Sequence, residues 1–136
     1  MMDGGETRTV TTEAHAEHIS VALRKRLTQF ALRTIGYTGS LPKSGEAQVL
    51  AKRLVRSGTS VGAHYREACR SRSTAEFVSK IEVAIQELDE TDYWLELLTE
   101  SQLADPAQTR DLRAEAGELI AILVSSVKTA KRNSNR

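Results

Sequence analysis

The stretch STAEFVSKIEVAIQELDETDYWLELL, from Ser73 to Leu98, decides the fold class. Its apolar seam is spaced by 4, 3, 4, 3, 4 and 3 residues, which predicts one amphipathic α-helix over three heptads. Ser73 and Glu76 form a capping box that marks the start of this helix. The seam consists of Phe77, Ile81, Ala84, Leu88, Thr91, Leu95 and Leu98. Val78, Ile85 and Trp94 widen the apolar face, so this helix is expected to contact more than one neighbour.

Three further helices are predicted around it. The first extends roughly from Thr12 to Ile35 and ends at Gly36, with Ile19, Leu23, Leu27, Phe30 and Ala31 on one side. The second begins after Pro42 with Ser44 as its N-cap and ends in the segment CRSRS, 69–73. The fourth begins at Asp105-Pro106 and presents the stripe Leu112, Ala116, Leu119, Leu123 and Val127.

Four such helices joined by short turns predict an all-α fold, an antiparallel up-down-up-down four-helix bundle. The bundle is predicted to span residues 12–128. Residues 1–11 are expected to form a flexible N-terminus, and residues 129–136, which are rich in Lys and Arg, a basic flexible tail. The low aromatic content of 4% and the presence of only two prolines favour helices over a β-sheet.

The net charge of +1 conceals a strong segregation of charge. Residues 24–72 contain eleven Lys or Arg and two Asp or Glu, a net of +9, whereas residues 73–118 contain three and twelve, a net of −9. No apolar run is long enough to cross a bilayer, so no membrane partner is expected and the cytoplasm is the expected location. The single cysteine, Cys69, excludes an intramolecular disulfide.

The second predicted helix contains the unusual stretch LVRSGTSVGAHYREA, Leu54 to Ala68. Each glycine inside a helix costs about 1 kcal/mol relative to alanine. Gly58 and Gly62 are four residues apart and share one face, which continues to Ala47 and Ala51. This face without large side chains predicts close packing against another helix, either of the same bundle or of another subunit. A helix kink at the Gly/Ser cluster is the alternative.

Several motifs together resemble one bacterial family. They are Pro42-Lys43, the stretch Leu54–Ala68, Phe77 with Lys80-Ile81, and the run ELDETDYWL at 87–95. Through these motifs the chain resembles the bacterial "four helix bundle protein" family. This family includes proteins encoded by intervening sequences in 23S ribosomal RNA genes. That family is related to the accessory variability determinant of diversity-generating retroelements. The resemblance is good from about Ala31 to Leu98.

This resemblance implies a four-helix protomer that assembles into a homopentameric ring. For the retroelement relative it also implies a basic surface that binds nucleic acid, RNA or DNA, and a reverse transcriptase as partner protein. Two residue-based interpretations of the basic half compete with simple solubility. One is binding of nucleic-acid phosphates without reading bases. The other is head-to-tail assembly, in which the basic half of one copy meets the acidic half of the next.

The predicted nucleic-acid-binding residues are the Lys and Arg side chains of the first two helices: Arg24, Lys25, Arg26, Lys52, Arg53, Arg56, Arg66 and Arg70. The acidic third helix is interpreted as a solvated face or as an ionic contact between subunits.

No catalytic or metal site is predicted. The chain lacks the Glu-x-x-His motifs of di-iron bundles, and the pair His15 and His18 is interpreted as a surface feature. Cys69, close to the end of its helix, is interpreted as inert. The sequence therefore predicts a non-enzymatic homo-oligomer without cofactors that binds nucleic acid with low specificity. The alternative is a scaffold that docks a partner protein, for example a reverse transcriptase, without touching nucleic acid.

Overall fold

The structure, a computed structural model, describes the backbone of residues 4–135 and the side chains of residues 20–135. It contains four α-helices and, within this range, no β-strand. The helices are α1 (Gly4–Thr38), α2 (Gly45–Cys69), α3 (Thr74–Glu100) and α4 (Pro106–Ser134). The all-α fold predicted from the sequence is confirmed.

The helices begin where the capping residues predict. The Ser44 hydroxyl accepts the Ala47 N–H at 3.4 Å, and the Ser73 hydroxyl accepts the Glu76 N–H at 3.1 Å. The Asp105 carboxylate accepts the Ala107 N–H at 3.1 Å, directly before Pro106. The capping box of α3 differs in one detail, because the Glu76 carboxylate accepts the N–H of Arg72 and not that of Ser73.

Consecutive helices pack side by side and α4 returns to α1, so each helix has two neighbours. The backbones of the diagonal pairs, α1 with α3 and α2 with α4, do not approach each other closely within the described range. Short turns join the helices and force neighbours to run antiparallel. This is the predicted up-down-up-down bundle.

The core consists of the predicted apolar stripes. The α3 seam is buried from Ile81 to Leu98, and only Phe77 at its start is half-buried. The whole α4 stripe, from Leu112 to Val127, is also buried. In α1 the side chains of Leu23, Leu27 and Phe30 are buried and Ala31 is half-buried, while that of Ile19 lies outside the described side chains.

The glycines of α2 face α1 of the same chain. A Cβ atom added at Gly58 would lie 3.0 Å from Cγ2 and 3.1 Å from Oγ1 of Thr34. One added at Gly62 would lie 3.7 Å from the Cβ of Leu27, an ordinary contact. Gly58 therefore permits an approach that alanine would obstruct, and the predicted close packing occurs within the protomer rather than between subunits.

A layer of hydroxyl groups crosses the middle of the core. Thr34, Ser57 and Thr91 are fully buried. The Thr91 hydroxyl lies 2.8 Å from the Ser57 hydroxyl and 2.8 Å from the Glu87 carbonyl oxygen. The Thr34 hydroxyl donates to the Phe30 carbonyl oxygen at 2.8 Å. Each hydroxyl is thus hydrogen-bonded, which offsets the cost of its burial.

Two outer helices are longer than predicted. Helix α1 begins at Gly4 rather than near Thr12 and continues past Gly36 to Thr38. Helix α4 continues through 129–134, the region predicted as a tail. The sequence KTAKR at 128–132 contains good helix formers, and Lys131 and Arg132 in the last turn interact favourably with the helix dipole. A run of cations alone was therefore a poor signal of a helix end.

Candidate nucleic-acid interface

The described part of α1 and α2 forms a shallow groove of about 490 Å³, which we call the basic groove. Its cations are Arg24 and Lys25 of α1 and Arg66 of α2. Gly62 of α2, four residues before Arg66, faces Leu27 of α1 at an ordinary packing distance. Side chains of both helices next to this contact between Gly62 and Leu27 line the basic groove.

Polar and apolar side chains complete the basic groove. Thr28 and Gln29 follow the two α1 cations by four residues each, and Val21 also lines the groove. The Nε atom of Arg24 is buried and has no hydrogen-bond partner among the described residues. Thr28 and Gln29 were missed in the sequence, although their i+4 spacing from Arg24 and Lys25 places them on the same face.

Arg26 points away from this groove. It donates through Nε to Glu115 at 2.8 Å and through Nη2 to both Glu115, at 2.6 Å, and Glu118 of α4. The hydrogen bonds to Glu115 raise the pKa of Arg26, and the same contact lowers the pKa of Glu115. Arg26 therefore ties α1 to α4.

Arg53 and Arg56 face α3. The Arg53 guanidinium lies 5.4 Å from the centroid of the Trp94 ring, a cation–π contact. The Arg56 Nη1 atom lies 3.5 Å from Glu87 and 3.7 Å from Glu90. Both arginines contribute to the contact between α2 and α3, and the structure does not bring them to the basic groove.

Lys52 and Arg70 are exposed but do not line the basic groove. Arg70 is the C-cap residue of α2. Because Gly58 contacts Thr34 and Gly62 contacts Leu27, α2 residues before Gly58 lie toward the C-terminal end of α1. Lys52 therefore lies toward the opposite end of the bundle from Arg66. Of the eight predicted binding residues, the structure brings three together: Arg24, Lys25 and Arg66.

Part of the charge segregation is neutralised inside the protomer. Besides the pairs of Arg26 and Arg56, Lys80 donates to Glu67 at 3.1 Å, and Arg113 of α4 donates to Asp92 of α3 at 2.8 and 3.2 Å. Lys80 lowers the pKa of Glu67, and Asp92 raises that of Arg113. Among these pairs, that of Arg56 with Glu87 and Glu90 joins a basic side chain of α2 to acidic side chains of α3.

Other candidate groups form no recognisable chemical site in the described region. No cluster of three His, Cys, Asp or Glu side chains that could hold a metal ion is found there. The side chains of His15 and His18 lie outside the described residues. Cys69 is exposed, with its Sγ atom 3.4 Å from the Ser20 hydroxyl. Among the helices described, none has a stretch apolar enough for its length to span a lipid bilayer.

The fold and the basic groove define a class: a small all-α four-helix bundle with cations gathered between its first two helices. The family model of the 23S rRNA-intervening sequence protein matches residues 20–125. The chain belongs to this family, as its motifs predicted.

A solved structure supports this assignment. The chain is similar to a protein of unknown function from the S23 ribosomal protein family of Bacteroides thetaiotaomicron VPI-5482, determined at 1.70 Å resolution. The two share 33% sequence identity over 78% of this chain and 98% of that chain, with a TM-score of 0.73. No curated protein matches the chain.

Proposed function

We propose that the protein binds the phosphate backbone of nucleic acid, with low sequence specificity, at the basic groove. The observation that carries this proposal is the convergence of Arg24, Lys25 and Arg66 from two helices on one groove. Guanidinium and ammonium groups bind phosphate oxygens through charge-assisted hydrogen bonds. Gln29 adds a neutral donor beside them, whereas the Thr28 hydroxyl donates to the Arg24 carbonyl oxygen at 3.0 Å.

The lining of the basic groove favours contacts with the backbone over contacts with bases. It contains no aromatic side chain on which a base could stack. Three cations that neutralise three phosphates of a single strand correspond to a slope of about −2 in log affinity against log salt. Binding by one protomer is therefore expected to be weak and strongly salt-dependent, in keeping with the small net charge of +1.

The test is fluorescence anisotropy of a labelled single-stranded RNA over a series of KCl concentrations. Arg66→Ala is expected to weaken binding at low salt and to make the slope less steep by about 0.7, because one phosphate contact is lost. Arg110→Ala is the matched control, since Arg110 is also an exposed helical arginine but lies on α4. No binding at low salt, or equal effects of the two variants, would contradict the proposal.

We further propose that the protomer assembles into a homo-oligomer, a pentamer by resemblance to its family. Large apolar side chains exposed on the protomer support assembly; Leu32 is 61% exposed and Val49 is 55% exposed. Assembly would also multiply the phosphate contacts of one groove by the number of copies. Multi-angle light scattering at micromolar concentration measures the mass, and a mass equal to the 15.0 kDa of one chain would contradict assembly.

A scaffold that docks a partner protein, such as a reverse transcriptase, is the second candidate. It is favoured by the engagement of Arg26, Arg53 and Arg56 within the chain, which leaves fewer cations for phosphates. The two candidates differ in the effect of one variant. A scaffold retains its partner when Arg66 is replaced by Ala, whereas a partner held through bound RNA is lost together with the RNA.

A further inference from the structure

Helix α1 presents a second stripe, opposite the core. Val21, Lys25, Thr28, Leu32 and Ile35 follow the heptad spacing and are all exposed. Leu32 and Ile35 are neighbours at i,i+3 and are 61% and 46% exposed. We call these two residues the apolar patch. The exposed cations Arg33 and Lys52 lie toward the same end of the bundle.

Helix α3 presents a stripe of opposite character, which we call the acidic stripe. It consists of Glu82, Gln86, Asp89, Tyr93, Glu96 and Glu100, all exposed. Tyr93 is 51% exposed, and its ring is tilted by 51° against that of Trp94 with 5.2 Å between ring centroids. Asp89 and Glu96 lie one turn to either side of Tyr93, and neither forms an ion pair within the described residues. An aromatic ring flanked by carboxylates suits a partner that is apolar at its centre and cationic at its rim.

The two surfaces point in different directions. Because α1 and α3 are diagonal in the bundle, their outer stripes lie on opposite sides of the protomer. Neither surface suits a copy of itself. Two acidic stripes would bring carboxylates together, and two apolar patches would bring together the cations at their edges. Each surface does suit the other in charge and in apolar character.

We infer that the apolar patch of one copy seats on the acidic stripe of the next, with Leu32 and Ile35 against Tyr93. The contact is heterologous, so it generates a ring or an open chain rather than a closed dimer. It uses the C-terminal half of the described α1, so the basic groove around Arg24 and Arg66 stays open. This inference rests on the assembly part of the proposed function and is independent of nucleic-acid binding.

The test uses two variants that each disable one surface. Leu32→Gln/Ile35→Gln removes the apolar patch without adding charge, and Asp89→Lys/Glu96→Lys reverses the acidic stripe. Each variant alone is expected to sediment as a monomer. An equimolar mixture is expected to form a heterodimer of twice the 15.0 kDa chain mass, because each variant retains the surface that the other lacks. Circular dichroism establishes that both variants remain helical.

The outcomes separate this inference from assembly as such. Suppose that the wild type is oligomeric. If the Asp89→Lys/Glu96→Lys variant is then still oligomeric, or if the mixture remains monomeric, this inference is overturned and assembly is not. A monomeric wild type would overturn both. Asp111→Lys, a reversal of an exposed acid on α4, is the control and is expected to assemble normally. The milder Tyr93→Ala is expected to weaken self-association about tenfold, and unchanged association would count against the contact.

Discussion

At the scale of single residues, Gly58 sets the distance between α1 and α2. A Cβ atom there would lie 3.0 Å from Thr34, whose buried side chain is held by its hydrogen bond to Phe30. Overpacking typically costs about 1–3 kcal/mol, more than the roughly 1 kcal/mol that alanine contributes as a better helix former. We expect Gly58→Ala to lower the free energy of unfolding by about 1 kcal/mol, measured by urea denaturation.

Gly117 provides the matched control, because a Cβ atom there would meet nothing within 4 Å. Gly117→Ala is expected to raise the free energy of unfolding by up to about 1 kcal/mol. Adding Thr34→Ala to Gly58→Ala removes the clashing atoms, so the two changes are expected to cost less together than the sum of their separate effects. Additive effects would show that Thr34 is not the obstacle.

At the scale of elements, Arg26 connects α1 to α4 and makes this contact dependent on pH. Arg26 lowers the pKa of Glu115 below its ordinary 4.5. A lowered pKa in the folded state means that the contribution is present above pH 4.5 and is lost as the pH falls through the folded value. At neutral pH we expect Arg26→Gln to lower the free energy of unfolding by about 1 kcal/mol, a value reduced for the partial exposure of Arg26.

Arg26→Gln also tests how the contribution of the Arg26–Glu115 contact to stability depends on pH. The difference between wild type and Arg26→Gln is expected to shrink below pH 4.5, when Glu115 becomes protonated in both proteins. Thermal unfolding followed at a series of pH values measures this difference. Arg110→Gln, which removes an exposed arginine of α4, is expected to leave the acid dependence unchanged. A difference that stays constant with pH would argue against the Glu115 contact.

The elements also show what the sequence can and cannot predict. The seam of α3 and the caps at Ser44, Ser73 and Asp105 were predictable, because they depend on spacing along one helix. The partners of Arg26 and Arg53 were not. A long side chain at the edge of a helix can reach either neighbour, and the choice depends on how far the helices are shifted along each other. That shift depends on contacts such as Gly58 with Thr34.

At the scale of the whole molecule, the four helices share one continuous core. Trp94, the single tryptophan, reports on the contact between α2 and α3, whereas far-UV circular dichroism reports on all helices. A shared core predicts one cooperative transition. We expect urea unfolding curves from Trp94 fluorescence and from circular dichroism to coincide in midpoint. A separate early loss of helical signal would show that one helix unfolds independently of the tryptophan contact.

The hydroxyl layer at the centre of the bundle limits which helices could replace α3. If α3 slid past α2 by one turn, Ser57 and Thr91 would lose their mutual hydrogen bond, worth about 0.5–1.5 kcal/mol, while each hydroxyl would keep the bond to a carbonyl oxygen of its own helix. The hydrogen bond between Ser57 and Thr91 therefore favours one alignment of α3 along α2. If α3 were replaced by the third helix of a relative, the new helix would keep this hydrogen bond only if it carried Ser or Thr at the position of Thr91.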